Sequence, residues 1–213
     1  TYQSGFYKAL YSRYVERPLP LGDANQVVSA DKISPYDDIV QEYADHYDFD
    51  WRLIVAQMFQ ESHFDPNAES VAGASGLMQM LPGTAAWIGA DNLADPRHNI
   101  RAGLKYMNFL RSQFEEDLNL QDRTWFTLAA YNAGFARVQR ARARAVVMDL
   151  DPDRWFDNVE LAMMSMTRPG VTDDGEDLRA CRCGQAVVYV RDIRSRYNSY
   201  LHLTRAMESG GGT

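Results

Sequence analysis

The stretch DWRLIVAQMFQES, residues 50–62, decides the fold of this chain. Nearly every position from Trp51 to Phe59 is apolar, a pattern that is typical of a helix buried on all sides. Pro66 follows shortly after and cannot continue a helix. We therefore expect the helix to end just past Glu61, and we expect a mainly α-helical core to be packed around it.

The position of Glu61 has a chemical consequence. The C-terminal end of a helix carries partial negative charge, and partial burial removes water from a carboxylate. Both effects disfavour the ionised form, so we predict a raised pKa for Glu61. A glutamate with a raised pKa is a candidate general acid at neutral pH. From position alone, an ordinary exposed glutamate at a helix end is the alternative interpretation.

Length and composition indicate one substantial domain with a small appendage. The chain has 213 residues, of which 46% are hydrophobic and 12% aromatic, enough to bury a core. A net charge of -7 argues against a nucleic-acid binder. The longest apolar runs are well short of the roughly 20 residues that cross a bilayer. Because the chain begins with Thr1 and shows no signal segment, we expect a mature or trimmed chain whose missing part held an export signal, a lipid anchor or another domain.

Cysteine and histidine spacing does not indicate a metal site. The two cysteines, Cys181 and Cys183, are separated by one residue and have no second pair nearby. Two free thiols or one small strained disulfide are both open interpretations. Asp48 and Asp50 lack the glycine and the distal glutamate of a calcium loop. The sequence therefore predicts neither a metal nor a cofactor.

Helix boundaries are predicted from capping residues and proline. Ser34, Asp50 and Asp122 are expected at helix N-caps, and further helices are expected to begin near Pro82 and Pro96. In the helix after Pro96, apolar residues recur at helical spacing on one stripe (Ile100, Leu104, Met107, Leu110 and Phe114). The helical pattern of residues 135–166 is expected to break at residues 151–152 and to restart through residues 155–156, and residues 168–184 are expected to form a polar surface loop. The basic run within that pattern is open to two interpretations, a solvated helix face or the lining of a site for an acidic or polymeric ligand (Arg137, Arg140, Arg142 and Arg144).

Three further motifs occur in order along the chain: ES at residues 61–62, GASGLMQMLPGTA at residues 73–85 and AYNAG at residues 130–134. They resemble the three successive signatures of the lytic transglycosylase domain of the soluble (SLT) type. The flanking residues 33–62 are most similar to the membrane-bound lytic transglycosylase F branch of that family. The resemblance is strong over residues 33–140 and weaker as far as about Tyr200.

The resemblance implies a fold and a domain organisation. The expected fold is mainly α and lysozyme-like, of the SLT or goose-lysozyme type, with a substrate groove. Residues 33–205 would form the catalytic domain. Residues 1–32 would be a helix and linker at the end of a preceding substrate-binding-like domain, and residues 206–213 a flexible tail.

The resemblance also implies site residues. Glu61 would be the catalytic acid, and the other residues would bind substrate (Ser70, Met78, Gln79, Tyr131, Asn132, Gln185 and Tyr189). In the family, the serine of this loop touches an N-acetyl group, the glutamine points into the sugar groove and the tyrosine orients the acid. A glutamine that satisfies core backbone groups and a tyrosine with a satisfied hydroxyl in the core are the alternatives. Gln185 stands where the family has an acidic residue, which leaves the role of that position open.

The implied activity is cleavage of the β-1,4 bond between N-acetylmuramic acid and N-acetylglucosamine in peptidoglycan, forming 1,6-anhydro ends without water. A lysozyme-like hydrolase (a muramidase or chitinase) and a catalytically silent wall-binding module are the alternatives. The expected partners are peptidoglycan strands, with no nucleic acid, and a monomer is expected. The implied location is the periplasm, with attachment to the outer membrane only through a missing N-terminal segment.

Overall fold

The computed structural model describes residues 32–167, 170–171, 177–178 and 183–210, and this part of the chain is mainly helical. It contains eight α-helices: α1 (Asp37–Tyr47), α2 (Trp51–Ser62), α3 (Pro82–Trp87), α4 (Pro96–Ser112), α5 (Leu120–Ala133), α6 (Phe135–Val147), α7 (Glu160–Ser165) and α8 (Cys183–Gly210). Strands β1 (Gly170–Val171) and β2 (Asp177–Leu178) pair antiparallel, with Gly170 opposite Leu178. The predicted mainly α class is confirmed. The expected N-terminal helix and linker fall largely on residues 1–31, outside the described residues.

Two compact units divide the described residues. The Glu61 unit consists of residues 32–108 and 192–210, and the Tyr131 unit consists of the described residues within Phe109–Arg191. Helices α4 and α8 each have residues in both units. The predicted domain boundaries at residues 33 and 205 stay predictions.

Helix α2 forms the centre of the Glu61 unit. Every residue from Leu53 to Met58 is buried, as the apolar run predicted, and α1 packs against this helix. Asp50 is its N-cap, and the Asp50 side chain accepts a hydrogen bond from the backbone N–H of Arg52. Tyr197 of α8 also donates its hydroxyl to Asp50, at 2.8 Å. The capping carboxylate therefore ties the start of α2 to α8 within this unit.

Two residues that were predicted as N-caps, Ser34 and Asp122, do not cap their helices. Helix α1 begins at Asp37 rather than just after Ser34, because the Asp37 carboxylate binds the backbone N–H groups of Ile33 and Ser34 and holds them in a turn before the helix. Helix α5 is capped by Asn119, whose side chain accepts from the N–H of Asp122. Asp122 lies within the first turn of that helix, where a negative charge is also favourable.

An aromatic cluster forms the core of the Tyr131 unit. The ring of Phe126 stacks on Phe114 and meets the edge of Trp155, with ring centroids 5.6 and 5.8 Å apart. The predicted helical restart around Trp155 is wrong in detail. The segment Trp155–Val159 is a single π-type turn that is broken by non-helical backbone at Phe156 and by a left-handed Asp157, with φ 62°.

Helix α8 ends the described chain. It begins at Cys183 and continues to Gly210, so residues 206–210 of the expected flexible tail are helical. Cys183 is bonded in a disulfide, which excludes the interpretation with two free thiols, whereas Cys181 lies outside the described residues. In the described part of the chain, no helix combines the length and apolar composition that a membrane span requires.

Candidate functional site

Glu61 lies in the last turn of α2, as predicted, and is partly exposed. His63, the C-cap that follows the helix, adopts a left-handed conformation with φ 53° and donates its N–H to the carbonyl of Phe59. Phe64 is also left-handed, with φ 67°. The chain therefore turns away from the helix immediately after Glu61, and the carboxylate stands at the junction between a rigid core helix and a loop.

The loop that follows, residues 65–80, is held together by its own backbone. The N–H of Gly76 donates to the carbonyl of Ala68 at 2.9 Å. Ser75 and Met80 exchange two hydrogen bonds of 3.1 and 3.0 Å, and Ser75 also bridges to Glu69. A loop with this many internal bonds is ordered before any ligand arrives, so the cost in conformational entropy of binding is small.

Ser70 occupies the exposed part of this loop. Its Oγ accepts a hydrogen bond from the N–H of Ala74 at 3.0 Å. A serine hydroxyl has one proton to donate and two lone pairs. Because Ala74 uses a lone pair, the proton of the Ser70 hydroxyl remains available to a ligand that presents an acceptor.

Gln79 has the opposite hydrogen-bonding character. Its backbone is left-handed, with φ 46°, and its Nε2 donates to the carbonyls of Ala68 and Gly76 at 2.9 and 3.1 Å. Both amide protons are therefore used within the loop, and Oε1 is the atom left to accept a hydrogen bond. The amide nitrogen satisfies backbone groups, as the alternative interpretation of this glutamine expected, while the residue stays partly exposed.

Met78, expected to bind substrate, has a fully buried side chain. It packs against Gly103 of α4, where an added Cβ would come within 2.7 Å of the Met78 Cβ. The backbone N–H of Met78 donates to Oδ1 of Asn99 at 2.8 Å. We therefore expect Met78 to fix the loop on α4 rather than to touch a ligand with its side chain.

Sequence reasoning missed Asn99 and Gln57. Asn99 is 1% exposed and hydrogen-bonds three backbone groups around the loop. Gln57 is fully buried in α2, four residues before Glu61, and neither of its amide atoms has a hydrogen-bond partner in the described part of the chain. The available signals were an asparagine in the first turn of a helix and a glutamine inside an otherwise apolar run.

The AYNAG motif lies at the end of α5, in the Tyr131 unit. Tyr131 is partly exposed and Asn132 is exposed. Gly134 ends the helix with φ 89°, a conformation that favours glycine. The predicted contact between the Tyr131 hydroxyl and Glu61 joins residues of different units, and it stays a prediction.

Helix α8 carries the remaining predicted residues. Gln185 is exposed, whereas Tyr189 is only 5% exposed. Further along, in the Glu61 unit, burial raises the pKa of Asp192 to about 6, while the positive charge of Arg196 opposes this shift. The Arg196 guanidinium lies over the ring of Phe59, with its carbon 3.6 Å from the ring centroid.

The basic run on α6 divides into two parts. Arg142 is fixed within the Tyr131 unit, where its guanidinium contacts Glu115 at 2.7 Å and Asp153 at 2.6 Å. It also donates to the carbonyl of Pro152 at 3.0 Å. Arg137 and Arg140 are exposed, as a solvated helix face would be. Within residues 32–167 and 183–210, no three His, Cys, Asp or Glu side chains are grouped as a metal site requires.

The sequence of this chain matches the family model described as "Transglycosylase SLT domain" over residues 38–149, just over half of its length. It is 35% identical over 173 residues to the membrane-bound lytic murein transglycosylase F of Marinobacter nauticus, a match that covers 81% of this chain and 34% of the relative. It is 36% identical over 168 residues to the transglycosylase of the same name from Shewanella loihica, covering 79% and 34%. The chain thus spans about a third of the length of these relatives.

Two solved structures share the fold. The 70 kDa soluble lytic transglycosylase Slt70 of Escherichia coli matches with a TM-score of 0.53 and 23% identity, over 92% of this chain and 26% of that chain. An inactive mutant of the lytic transglycosylase Slt of Pseudomonas aeruginosa matches with a TM-score of 0.54 and 24% identity, over 84% and 26%. The predicted mainly α, lysozyme-like fold is therefore confirmed.

Proposed function

The chain belongs to the transglycosylase SLT domain family, and on that premise we propose that it is a peptidoglycan lytic transglycosylase. Its substrate would be the β-1,4 bond between N-acetylmuramic acid and N-acetylglucosamine. The observation that carries the proposal is the placement of Glu61 at the end of the buried helix α2, next to an ordered loop that presents Ser70 and Gln79.

Glu61 would act as the general acid. The carboxylate is partly exposed at the C-terminal end of α2, and the raised pKa expected from this position stays a prediction. In its protonated form it would transfer its proton to the glycosidic oxygen as the bond to the anomeric carbon breaks. The leaving N-acetylglucosamine then departs as a neutral alcohol.

One carboxylate is sufficient if the substrate supplies its own nucleophile. Most glycosidases use two carboxylates, and substrate-assisted catalysis is an attested exception. In the proposed reaction, the N-acetyl oxygen of the muramoyl sugar attacks its own anomeric carbon and forms a cyclic intermediate. Glu61, now a carboxylate, takes the proton from the C6 hydroxyl of the same sugar. The C6 oxygen then bonds to the anomeric carbon, the N-acetyl group is released, and no water is consumed.

The hydrogen-bonding character of the loop supports recognition of an acetamido group. Such a group has one carbonyl acceptor and one N–H donor. Ser70 has a proton to donate, and Gln79 has Oε1 to accept. We assign the N-acetyl carbonyl to Ser70 and a donor of the sugar, either an N–H or a hydroxyl, to Gln79. Contacts of this kind raise the rate by holding the reacting atoms in a near-attack geometry.

The remaining predicted residues complete the proposal. Tyr131 would orient the Glu61 carboxyl, and Asn132 would contact the glycan. Gln185 would offer a neutral amide where the family has an acid, and Tyr189, which is almost fully buried, would support the wall of the groove. We propose a periplasmic location, because the relatives are named as membrane-bound murein transglycosylases. Attachment to the outer membrane and a monomeric state belong to the same proposal.

Substrates with and without N-acetyl groups test the assisted mechanism. Purified peptidoglycan would be digested beside the same material after chemical N-deacetylation, and soluble fragments would be quantified. We expect release from the acetylated polymer and at least a hundredfold lower release from the deacetylated one, because the internal nucleophile has been removed. Efficient cleavage of the deacetylated polymer would contradict the assisted mechanism, whereas binding without release from either would indicate a wall-binding module.

A further inference from the structure

Asn99 uses its whole side-chain amide on the loop that follows Glu61. Its Oδ1 accepts from the N–H of Met78 at 2.8 Å, and its Nδ2 donates to the carbonyls of Ser75 and Leu93, both at 3.0 Å. Both amide protons are therefore engaged, and the residue is 1% exposed. Buried from solvent and fully bonded, this side chain can adopt one orientation only.

Two of the groups that Asn99 binds, the carbonyl of Ser75 and the N–H of Met78, belong to the tight turn leading to Gln79. Ser75 begins the turn, and its carbonyl also accepts from the N–H of Met80 at the end of the turn. Met78 directly precedes Gln79, whose own N–H bonds the carbonyl of Gly76 at 3.1 Å and whose backbone is left-handed. Without Asn99, the Met78 N–H would lose its hydrogen bond to Oδ1 beside this left-handed residue.

Helix α4 is shaped to receive this loop. A Cβ on Gly76 would come within 2.2 Å of the Asn99 Nδ2, and a Cβ on Gly103 within 2.7 Å of the Met78 Cβ. Asn99 and Gly103 are four residues apart in α4, so they lie on the same face of that helix. One residue therefore fixes the backbone of Met78, and the other leaves room for its side chain.

We propose that Asn99 is a positioning residue for the transglycosylase reaction, acting through Met78 to aim the Oε1 atom of Gln79 at the glycan. The inference rests on the proposed function. Asn99 does not touch the substrate. Asn99 holds the turn in one geometry. In that geometry, the Gln79 Nε2 protons are bonded within the loop, and the Gln79 Oε1 atom remains available to the glycan.

Two substitutions of Asn99 test this role. Asn99→Ala removes all three bonds. Asn99→Asp keeps an acceptor for the N–H of Met78, but it places a carboxylate oxygen against the carbonyls of Ser75 and Leu93. Since a displacement of about 1 Å can lower a rate about 10²-fold, we expect both variants to lose about 10²-fold in kcat/KM for release of anhydro-muropeptides.

Asn99→Asp also provides a signature in its pH profile. The groups placed against this side chain are backbone groups of Ser75, Gly76, Met78 and Leu93. Asp95 and His98 are the titratable residues nearest to it in sequence on the same helix end, and the Asp95 carbonyl accepts from the N–H of Asn99. A protonated aspartic acid can donate to one carbonyl, so the activity of Asn99→Asp relative to wild type should rise as pH falls.

The control variant lowers stability at a site outside the loop. Asn119→Ala removes an N-cap asparagine from α5 in the Tyr131 unit, a loss of stability without a change at the loop. We expect Asn119→Ala to keep kcat/KM within about twofold of wild type, as stability loss alone does not change the rate per folded molecule. If Asn99→Ala does not fold, Gly103→Ala provides a second test, because its methyl group displaces Met78 and leaves the Asn99 amide in place.

The outcomes are distinct. Wild-type kcat/KM per folded molecule in Asn99→Asp or Gly103→Ala would overturn the positioning role and leave the proposed function standing. If Asn99→Asp loses unfolding free energy but, like Asn119→Ala, keeps its kcat/KM per folded molecule and shows no added pH dependence, Asn99 has a structural role only. Failure of the wild-type protein to release anhydro-muropeptides would instead overturn the proposed function itself.

Discussion

The Nε2 atom of Gln79 donates a hydrogen bond of 2.9 Å to the carbonyl oxygen of Ala68, eleven residues earlier in the chain. This bond closes the loop after Glu61 and turns a side chain of the GLMQM motif into a part of the backbone network. A second bond, to the carbonyl of Gly76, uses the other amide proton. Gln79 therefore stabilises the loop through Nε2 and is a candidate ligand contact through Oε1.

Substitution of Gln79 is expected to affect stability and activity together. Gln79→Met leaves the carbonyls of Ala68 and Gly76 without this partner, so we expect a loss of about 1–2 kcal/mol in the free energy of unfolding. It also removes the acceptor Oε1, so kcat/KM should fall by about 10²-fold. Urea unfolding and muropeptide release measure the two effects.

Gln79→Glu is the matched control, because it keeps the side-chain shape and an acceptor but has no amide donors. It should lose stability as Gln79→Met does, since a carboxylate oxygen would face the carbonyls of Ala68 and Gly76. Wild-type stability in both variants would mean that these two hydrogen bonds do not hold the loop.

Substitution of Gln57 is expected to raise the free energy of unfolding rather than lower it. Its amide is fully buried in α2 and bonds no described residue, and an unsatisfied buried polar group costs about 1–3 kcal/mol. Gln57→Met has a similar volume and no amide, so we expect the free energy of unfolding to rise by about 1–3 kcal/mol. Gln60→Met, at a partly exposed position of the same helix, should change it by less than about 0.5 kcal/mol.

Chemical denaturation at pH 7 would compare the two methionine variants with wild type. A destabilised Gln57→Met would show that the amide makes favourable interactions in solution. Since Gln57 lies one helical turn before Glu61, activity of the same variant would then show whether those interactions reach the catalytic carboxylate.

Asp192 predicts a pH dependence of stability. Burial raises its pKa to about 6 in the folded protein, above the value of about 3.9 for an unfolded chain. Between these values the folded state binds more protons, so stability falls as pH rises from about 4 to 6. The contribution of this group is fully present below the unfolded pKa and is lost as pH rises through the folded one.

Asp192→Asn is uncharged at every pH and should lack this decline. We expect its stability relative to wild type to be greater at pH 7.5 than at pH 4.5, because only the wild type must hold a partly buried charge at the higher pH. Urea unfolding at both pH values measures the difference. An equal difference at both values would contradict the raised pKa.

The sequence predicted the parts of the fold that depend on local patterns. The apolar run around Ile54 identified α2 as buried, and a stripe at helical spacing identified the buried face of α4 (Ile100, Leu104, Met107 and Leu110). Phe114, the last residue of the predicted stripe, is also buried but lies just beyond the end of α4. Proline and Asp50 marked helix starts correctly at Pro82, Trp51 and Pro96. These features depend on neighbours within one or two turns, which a single sequence displays.

The errors arose where distant residues decide local structure. Asp122 is a good capping residue, yet Asn119 takes the cap, and the Asp122 carboxylate instead accepts from the backbone N–H of Trp155, 33 residues later. The helical backbone breaks at Asp157, although the segment Trp155–Val159 contains no proline or glycine that would have predicted the break. Asn99 was missed because two of its three partners, Ser75 and Met78, lie more than 20 residues earlier in the chain. Only the third partner, Leu93, is close to it in sequence.

The candidate site was predicted from motifs more than from physical patterns. Position alone left Glu61 open to an ordinary surface role, and the resemblance of three motifs selected the catalytic interpretation. The structure adds the hydrogen-bonding character of Ser70 and Gln79, which sequence does not contain. A sequence shows that Ser and Gln side chains carry both donors and acceptors, but it does not show which of these atoms are already bonded within the protein. Only the structure shows which atom remains available to a ligand.

Mass spectrometry of purified sacculi digested with the wild-type protein and with Glu61→Gln tests the central claim most directly. We expect 1,6-anhydro-muropeptides from the wild type and a loss of at least 10²-fold in Glu61→Gln, because the glutamine amide cannot donate the required proton. Thermal unfolding of the variant would confirm that it is folded. Muropeptides with a free reducing-end hydroxyl from the wild type, or anhydro products at an undiminished rate from Glu61→Gln, would contradict the account.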